Sequence, residues 1–407
     1  MLYNLGRAAR VALAAGASFL LMATAACGSE SNAAGEQSVD LAKLDVGNYP
    51  TQPQEWAPED RSEAVRIVEA LRLGDVMPLA EEVDPALKYP VAGTPYTKPG
   101  KSTGGTMFGW LNKDDFASNT PGLIAAFGSA AGSNLDRGIS TVLINNVLLF
   151  ETDEAATSAA ASLARSGFAD TKGRAVEPGV SAQYPTASVM WIPDFQVLAS
   201  VYATGKFVII EVVQDNVNRA MRYFDPGHSD QSVLVALADK ATSVTIDRLK
   251  AFEPTPPSSL AELPLDPEGM QRITLRSSGT IFTGVQNDHG ALHNADGLDN
   301  RSRALYDDAG VEYVSVGAGE LTRARDSDAA VSLALEYTRN RLLIPADSPR
   351  ELPGARCVKY RGPLESTTVP YYCTVAVGRY AARVWSSQLP DAHQQIAAQY
   401  AILVNGK

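Results

Sequence analysis

The stretch Glu154-Ala-Ala-Thr-Ser-Ala-Ala160 has a near copy at Asp328-Ala-Ala-Val-Ser-Leu-Ala334, 174 residues further on. The same offset relates Gly105-Thr-Met-Phe108 to Gly279-Thr-Ile-Phe282. Pro178-Gly179 returns as Pro353-Gly354, Tyr184 as Tyr360 and Gly205-Lys206 as Gly378-Arg379, with the offset drifting by no more than two residues. Short matches in one order at nearly fixed spacing mark a duplicated unit. Two copies are expected, over about 101–252 and 275–405.

Both copies share one grammar. A strand enters at Gly-Thr-x-Phe, and a second follows at Ile139–Phe150 or Val311–Val316. A helix comes next, at Asp153–Ser166 or Ser327–Arg341, with Asp or Ser near its start as N-cap and Ala and Leu at helical spacing. Pro-Gly then breaks the chain ahead of three extended runs. These are Gly179–Trp191, Phe195–Tyr202 and Phe207–Val213 in the first copy, and Arg356–Tyr360, Tyr371–Val377 and Tyr380–Ser386 in the second. A closing helix is expected at Asp230–Phe252 and again at Asp391–Val404. The fold class that follows is α+β: two tandem copies of a mixed, mostly antiparallel sheet with helices packed on one face. Residues 253–268 hold five prolines and read as a stiff linker. A helix at Glu59–Leu73 precedes the first copy, giving a first domain over 61–252 and a second over 269–407.

The N-terminus sets the compartment. Arg7 and Arg10 precede an uncharged run from Val11 to Ala26, which is short of the roughly 20 residues a spanning helix needs. Small residues then lead into Thr24-Ala-Ala-Cys27-Gly-Ser29, similar to a bacterial lipobox with Thr24 in place of the usual Leu. This resemblance implies a signal peptide over 1–26, a diacylglyceryl group on the Cys27 thiol, and an anchor at the extracytoplasmic face of the cell membrane. Residues 27–60 open on small polar residues and are expected to form a flexible tether. No other uncharged stretch approaches a span, so the body is expected to be soluble. Cys357 and Cys373 remain, and in an exported chain they most simply pair with each other. Such a bridge would close a short loop and contribute roughly 3 kcal/mol.

Composition narrows the function. Lys plus Arg total 35 against 46 Asp plus Glu, and the net charge is −11. A chain that acidic is poorly suited to bind nucleic acid by neutralising phosphates. Hydrophobic residues are 45% and charged residues 20%, which excludes a largely disordered chain.

The best enzyme lead is Asp288-His289-Gly-Ala-Leu-His293-Asn-Ala-Asp296. His289 and His293 on one helical face, with Asp296 as third ligand, would suit zinc. Gly290 and the Asn-Ala-Asp-Gly run are poor helix formers, and no Glu lies between the histidines as a His-Glu-x-x-His hydrolase requires. There is no Gly-x-Ser-x-Gly elbow, and carboxylate spacing selects no acid–base pair. No catalytic residue and no cofactor are assigned. Aromatic residues such as Trp191, Tyr202 and Phe207 could line a ligand site if a sheet face were left open.

Together the lipobox, the duplicated unit and the cysteine pair resemble a family of secreted actinobacterial lipoproteins, of mycobacterial and nocardial type, built from domains of unknown function. One copy also looks loosely like the extracellular sensor domains of some actinobacterial kinases. The first resemblance implies a lipid-anchored envelope protein. The reading drawn from it is a non-enzymatic binding or interaction role, toward an envelope ligand or protein that the sequence does not specify. A metal-dependent envelope hydrolase using His289 and His293, or a purely structural lipoprotein, are the alternatives.

Overall fold

A computed structural model describes residues 39–97, 115–168, 171, 173–222, 224, 230–276, 284–294, 301–362 and 369–406. Cys27, Asp296, the signal segment and both Gly-Thr-x-Phe matches lie outside the described residues.

The first half runs α1 (Arg61–Gly74), α2 (Ala80–Val83), β1 (Tyr89–Tyr96), α3 (Phe116–Asn119), β2 (Leu123–Gly132), β3 (Thr141–Phe150), α4 (Asp153–Ser166), β4 (Glu177–Gly179), β5 (Ser188–Ile192), β6 (Val197–Thr204), β7 (Phe207–Asp215), α5 (Asn216–Met221) and α6 (Gln231–Leu249). The second half runs β8 (Val285–Asn287), α7 (Asp288–Ala291), α8 (Ser302–Ala309), β9 (Tyr313–Val316), β10 (Gly319–Arg323), α9 (Ser327–Glu336), β11 (Leu343–Ala346), β12 (Arg356–Tyr360), β13 (Tyr371–Val377), β14 (Tyr380–Ser386) and α10 (Leu389–Asn405). Strand order is β1-β2-β3-β7-β6-β5-β4 in one sheet and β8-β9-β10-β14-β13-β12-β11 in the other. Three strands, a helix, four strands and a closing helix recur in the same spatial order, so the duplication is one of topology. Every pairing among the described residues is antiparallel.

The duplicated α+β class therefore stands, with a change in where the helices sit. Along β3, Val142, Ile144 and Leu148 pack with Ala156 and Leu163 of α4. Leu143 packs with Leu234 and Ala238 of α6, and Val147 and Leu149 with Leu71 and Leu73 of α1. Successive side chains point to opposite faces, so helices cover both faces of this sheet rather than one. Trp191 is buried under α6 and Tyr202 stacks on Tyr184 with ring centroids 4.9 Å apart. Of the aromatic residues considered from the sequence, Trp191 is buried in the core, whereas Tyr202 is only partly buried.

Of the helix pair that reveals the repeat, α9 is capped by an Asp as expected, whereas α4 is capped by a Thr. Thr152 accepts the Ala155 N–H ahead of α4, and Asp326 accepts the Ala329 N–H ahead of α9, each satisfying an otherwise unpaired donor of the first turn. The repeated Gly205 and Gly378 take positive φ, 52° and 55°, at the β6–β7 and β13–β14 turns, where a side chain would be strained. In the second half the strand before the helix is β10; Val311–Val316 contains β9, which matches β2. Helix α9 stops at Glu336, short of the expected Arg341.

The part of the expected tether that the structure describes is packed rather than free. From Asp40 the chain packs as part of the body. Leu44 is buried, and the Tyr49 hydroxyl donates to Asp391 Oδ1 at 2.8 Å. The Gln54 N–H donates to the Arg272 carbonyl at 2.9 Å, and Asn405 Nδ2 donates to the Thr51 carbonyl at 2.8 Å. An apolar residue and an aromatic anchor within 40–60 give this segment something to bury, unlike the small polar residues before it. The proline-rich segment is also held. Thr255 donates its N–H and hydroxyl to the buried Glu69 of α1 at 2.8 and 2.9 Å. Among the described residues no helix is long and apolar enough to cross a membrane.

Candidate functional site

The two halves meet where α7 and the turn after it lie against the α1–α2 connection and β1. Gly290 of α7 has no room for a side chain: a Cβ there would sit 2.1 Å from Asp75 Oδ1. Asp75 Oδ1 in turn accepts the Asn287 N–H at 3.2 Å. Burial pushes the Asp75 carboxyl up to about 7, although the Asn287 N–H and the Gln286 side chain favour its charged form. On β1, the Gly93 N–H donates to Asn294 Oδ1 at 2.8 Å, and Asn294 Nδ2 donates back to the Gly93 carbonyl. Helix α2 supplies the ionic contacts. Arg303 of α8 pairs with Glu81 at 2.5 Å, and Arg248 of α6 pairs with Glu82 at 2.7 Å.

The sequence-selected histidines lie in this seam. Their ring centroids are 6.0 Å apart, edge to face. His289 Nε2 lies 2.8 Å from the Met77 carbonyl, which can only accept, so this nitrogen carries the proton. His293 is buried against Phe127, with ring centroids 5.3 Å apart. Burial, reinforced by His289, lowers its pKa to about 3. The structure thus brings the two imidazoles together and uses them to join the halves; Glu82 Oε1 lies 3.9 Å from His289 Nδ1, but among the described residues the two rings and a carboxylate do not converge within 4.8 Å as a metal set would. His293 Nε2 has no hydrogen-bond partner. It lines a small cavity with Leu79, Leu87, Pro90, Ser129 and Leu292. That cavity of about 40 Å³ suits a few waters, each needing about 10–15 Å³, and is far below the roughly 300 Å³ of a metabolite pocket.

A second polar feature crosses the first sheet. Ser129, Asn145, Glu211 and Ser200 are successive cross-strand partners on β2, β3, β7 and β6. Asn145 Nδ2 donates to Thr245 of α6 at 2.7 Å, so the row lies under that helix. Glu211 is fully buried, and neither carboxylate oxygen has a hydrogen-bond partner. Burial pushes its pKa well above the usual carboxylate range, which favours the protonated form. An isolated acidic residue in Val-Ile-Ile-Glu-Val-Val carried the signal for this site, but sequence reasoning passed over it.

The second half carries the cysteines. Cys357 and Cys373 are register partners on β12 and β13, both buried and joined by a disulfide. Thr374, the next residue, bonds to the Ala334 carbonyl of α9, so the bridge faces the opposite layer, under α10. Beside it an open cleft of about 550 Å³ is lined by Asp45, Asp347, Arg350, Glu351 and His393. Sequence reasoning missed His393, a lone histidine on an amphipathic helix with no motif around it.

Two family models match the chain in tandem. Residues 56–265 match the N-terminal part, and residues 276–406 the C-terminal part, of a domain of unknown function, DUF7373. The chain belongs to that family. Among solved structures it is similar to the extracellular domain of PknH from Mycobacterium tuberculosis, at 12% identity over 43% of this chain and 95% of that one. The TM-score is 0.27, too slight a likeness to bear on function. A comparison with curated proteins returns no match.

Proposed function

We propose that the protein is a non-enzymatic binding component of the cell envelope, held at the outer face of the membrane by lipid on Cys27. The buried Cys357–Cys373 disulfide carries the compartment half of this reading, since such bridges persist in oxidising environments. The polar cleft around Asp45, Arg350, Glu351 and His393 is the place offered to a ligand or partner. The metal-dependent hydrolase has weaker support, because His289 is tied to the Met77 carbonyl and His293 is buried in the seam.

Mass analysis of the protein from its native membrane fraction, without reductant, tests the compartment. The expected result is a diacylglyceryl mass on Cys27 together with an intact 357–373 bridge. An unmodified N-terminus with free thiols at both positions would overturn it. For the binding role, the expected result is saturable retention of an envelope component that Arg350→Glu weakens. Retention unchanged by that substitution would remove the cleft from the proposal.

A further inference from the structure

The disulfide has a neighbour that a purely structural staple does not need. Both Sγ atoms and a ring nitrogen of His393 lie within 4.8 Å of one another. His393 Nε2 lies 2.6 Å from the Asp347 carbonyl oxygen. A carbonyl only accepts, so Nε2 carries the proton and Nδ1 keeps its lone pair when the ring is neutral. Holding one imidazole nitrogen on a backbone carbonyl is how metal-bound histidines are oriented.

Zinc takes thiolate sulfur at about 2.3 Å and imidazole nitrogen at about 2.0 Å in a tetrahedron, with ligand atoms under about 4 Å apart. Once the S–S bond is opened, side-chain rotation can bring the two sulfurs to that spacing. The strands stay in register through the backbone ladder from Arg356 to Lys359 against Tyr371 to Thr374. The cleft that His393 lines gives a way in and leaves a fourth position to water or to a carboxylate such as Asp347 or Glu351.

We propose that Cys357, Cys373 and His393 form a redox-gated zinc site, closed as the disulfide and opened when a dithiol reduces it. In the opening step the dithiol gives two electrons and two protons to the Cys357–Cys373 bond and leaves as its own disulfide. Zinc then displaces the two thiol protons and is held by two thiolates and one imidazole. A small-molecule disulfide reverses the step: it accepts two electrons from the thiolates and two protons from water, leaves as its dithiol, and the Cys357–Cys373 bond re-forms as the ion is released. This goes beyond the binding role proposed above and does not depend on it.

The test is anaerobic titration of the full-length chain with Zn²⁺ against a chromophoric chelator. Oxidised protein is compared with protein reduced by a dithiol that is then removed. One zinc per chain is expected in the reduced form and none in the oxidised form, with release on reoxidation. His393→Ala retains the disulfide, so its fold is safeguarded, and it is expected to weaken zinc at least tenfold in the reduced form. Cys373→Ser is expected to abolish binding. Equal uptake by oxidised and reduced protein would overturn the proposal, because the ion would then sit elsewhere, for example on His289. No uptake by the reduced form, or affinity unchanged in His393→Ala, would overturn it as well.

Discussion

The two sheets share a strand order and differ in how each keeps polar groups in its middle. In the first, β3 and β7 are ten and nine residues long, and Asn145 faces Glu211 across their ladder. In the second, the matching β10 and β14 have five and seven residues, and Glu320 faces Arg383. Neither Glu211 oxygen has a hydrogen-bond partner, and burial raises its pKa, which lowers the cost of leaving it unpaired. Glu320 and Arg383 are a buried ion pair at 3.0 Å, with the guanidinium 4.6 Å above the Tyr337 ring. The longer sheet buries enough apolar surface to carry an unsatisfied carboxyl. The shorter sheet, with less to bury, has a matched charge pair and a covalent bridge.

That contrast can be broken at several points. Arg383→Met leaves Glu320 buried without its partner and is expected to cost about 3–5 kcal/mol, read as a lower urea midpoint. Adding Glu320→Leu should recover most of it, because a buried pair is often replaceable by apolar groups. A single substitution costing under about 1 kcal/mol would mean that the pair behaves as a surface one. Replacing both cysteines by alanine should remove roughly 3 kcal/mol. Hydrogen exchange should then rise in β12, β13 and α10 and stay unchanged in β3 and β7.

Between the halves, Asp75 gives a pH signature. Its folded value, about 7, lies above the ordinary 3.8. Its stabilising contribution is therefore complete below pH 4 and is lost as pH rises through 7. Asp75→Asn should flatten that slope, a difference of about 4 kcal/mol between acid and mildly alkaline buffer. A slope unchanged in the variant would place the titration elsewhere. The smallest effect is expected from Glu211→Gln. Removing the cost of a buried ionisable group should stabilise the first sheet by about 1–2 kcal/mol above neutral pH, with no gain at pH 4. Destabilisation at every pH would show that Glu211 has a partner it needs.

How much of this was legible follows from where each signal lay. The α4 and α9 helices and the β13–β14 hairpin were readable because their patterns are local and repeated, and the cysteine pairing because only two cysteines follow the signal segment. Strand β2 was not: Leu-Ile-Ala-Ala-Phe-Gly-Ser-Ala-Ala-Gly is buried on both faces, so it shows no alternation, and its small residues read as a loop. Strand β10 was hidden by its buried Glu320 and Thr322, which look like a polar turn until their partners are placed. The seam was out of reach because it joins Asp75 to Asn287, 212 residues away, through a glycine whose role is to be small. His289 and His293 were noticed for their proximity, which the structure shows; their place in the seam between the halves was not legible.

The strap formed by residues 40–58 has a consequence for the order in which the molecule can be completed. Tyr49 and Asp391 are 342 positions apart, and the Asn405 contact to Thr51 spans 354. A chain that emerges N-terminus first exposes this segment early, yet its docking surface on α10 is among the last parts to arrive. Closing so long a loop costs entropy before any contact repays it. The strap is thus a latch that can fasten only after α10 has been made, and a chain stalled before α10 lacks it.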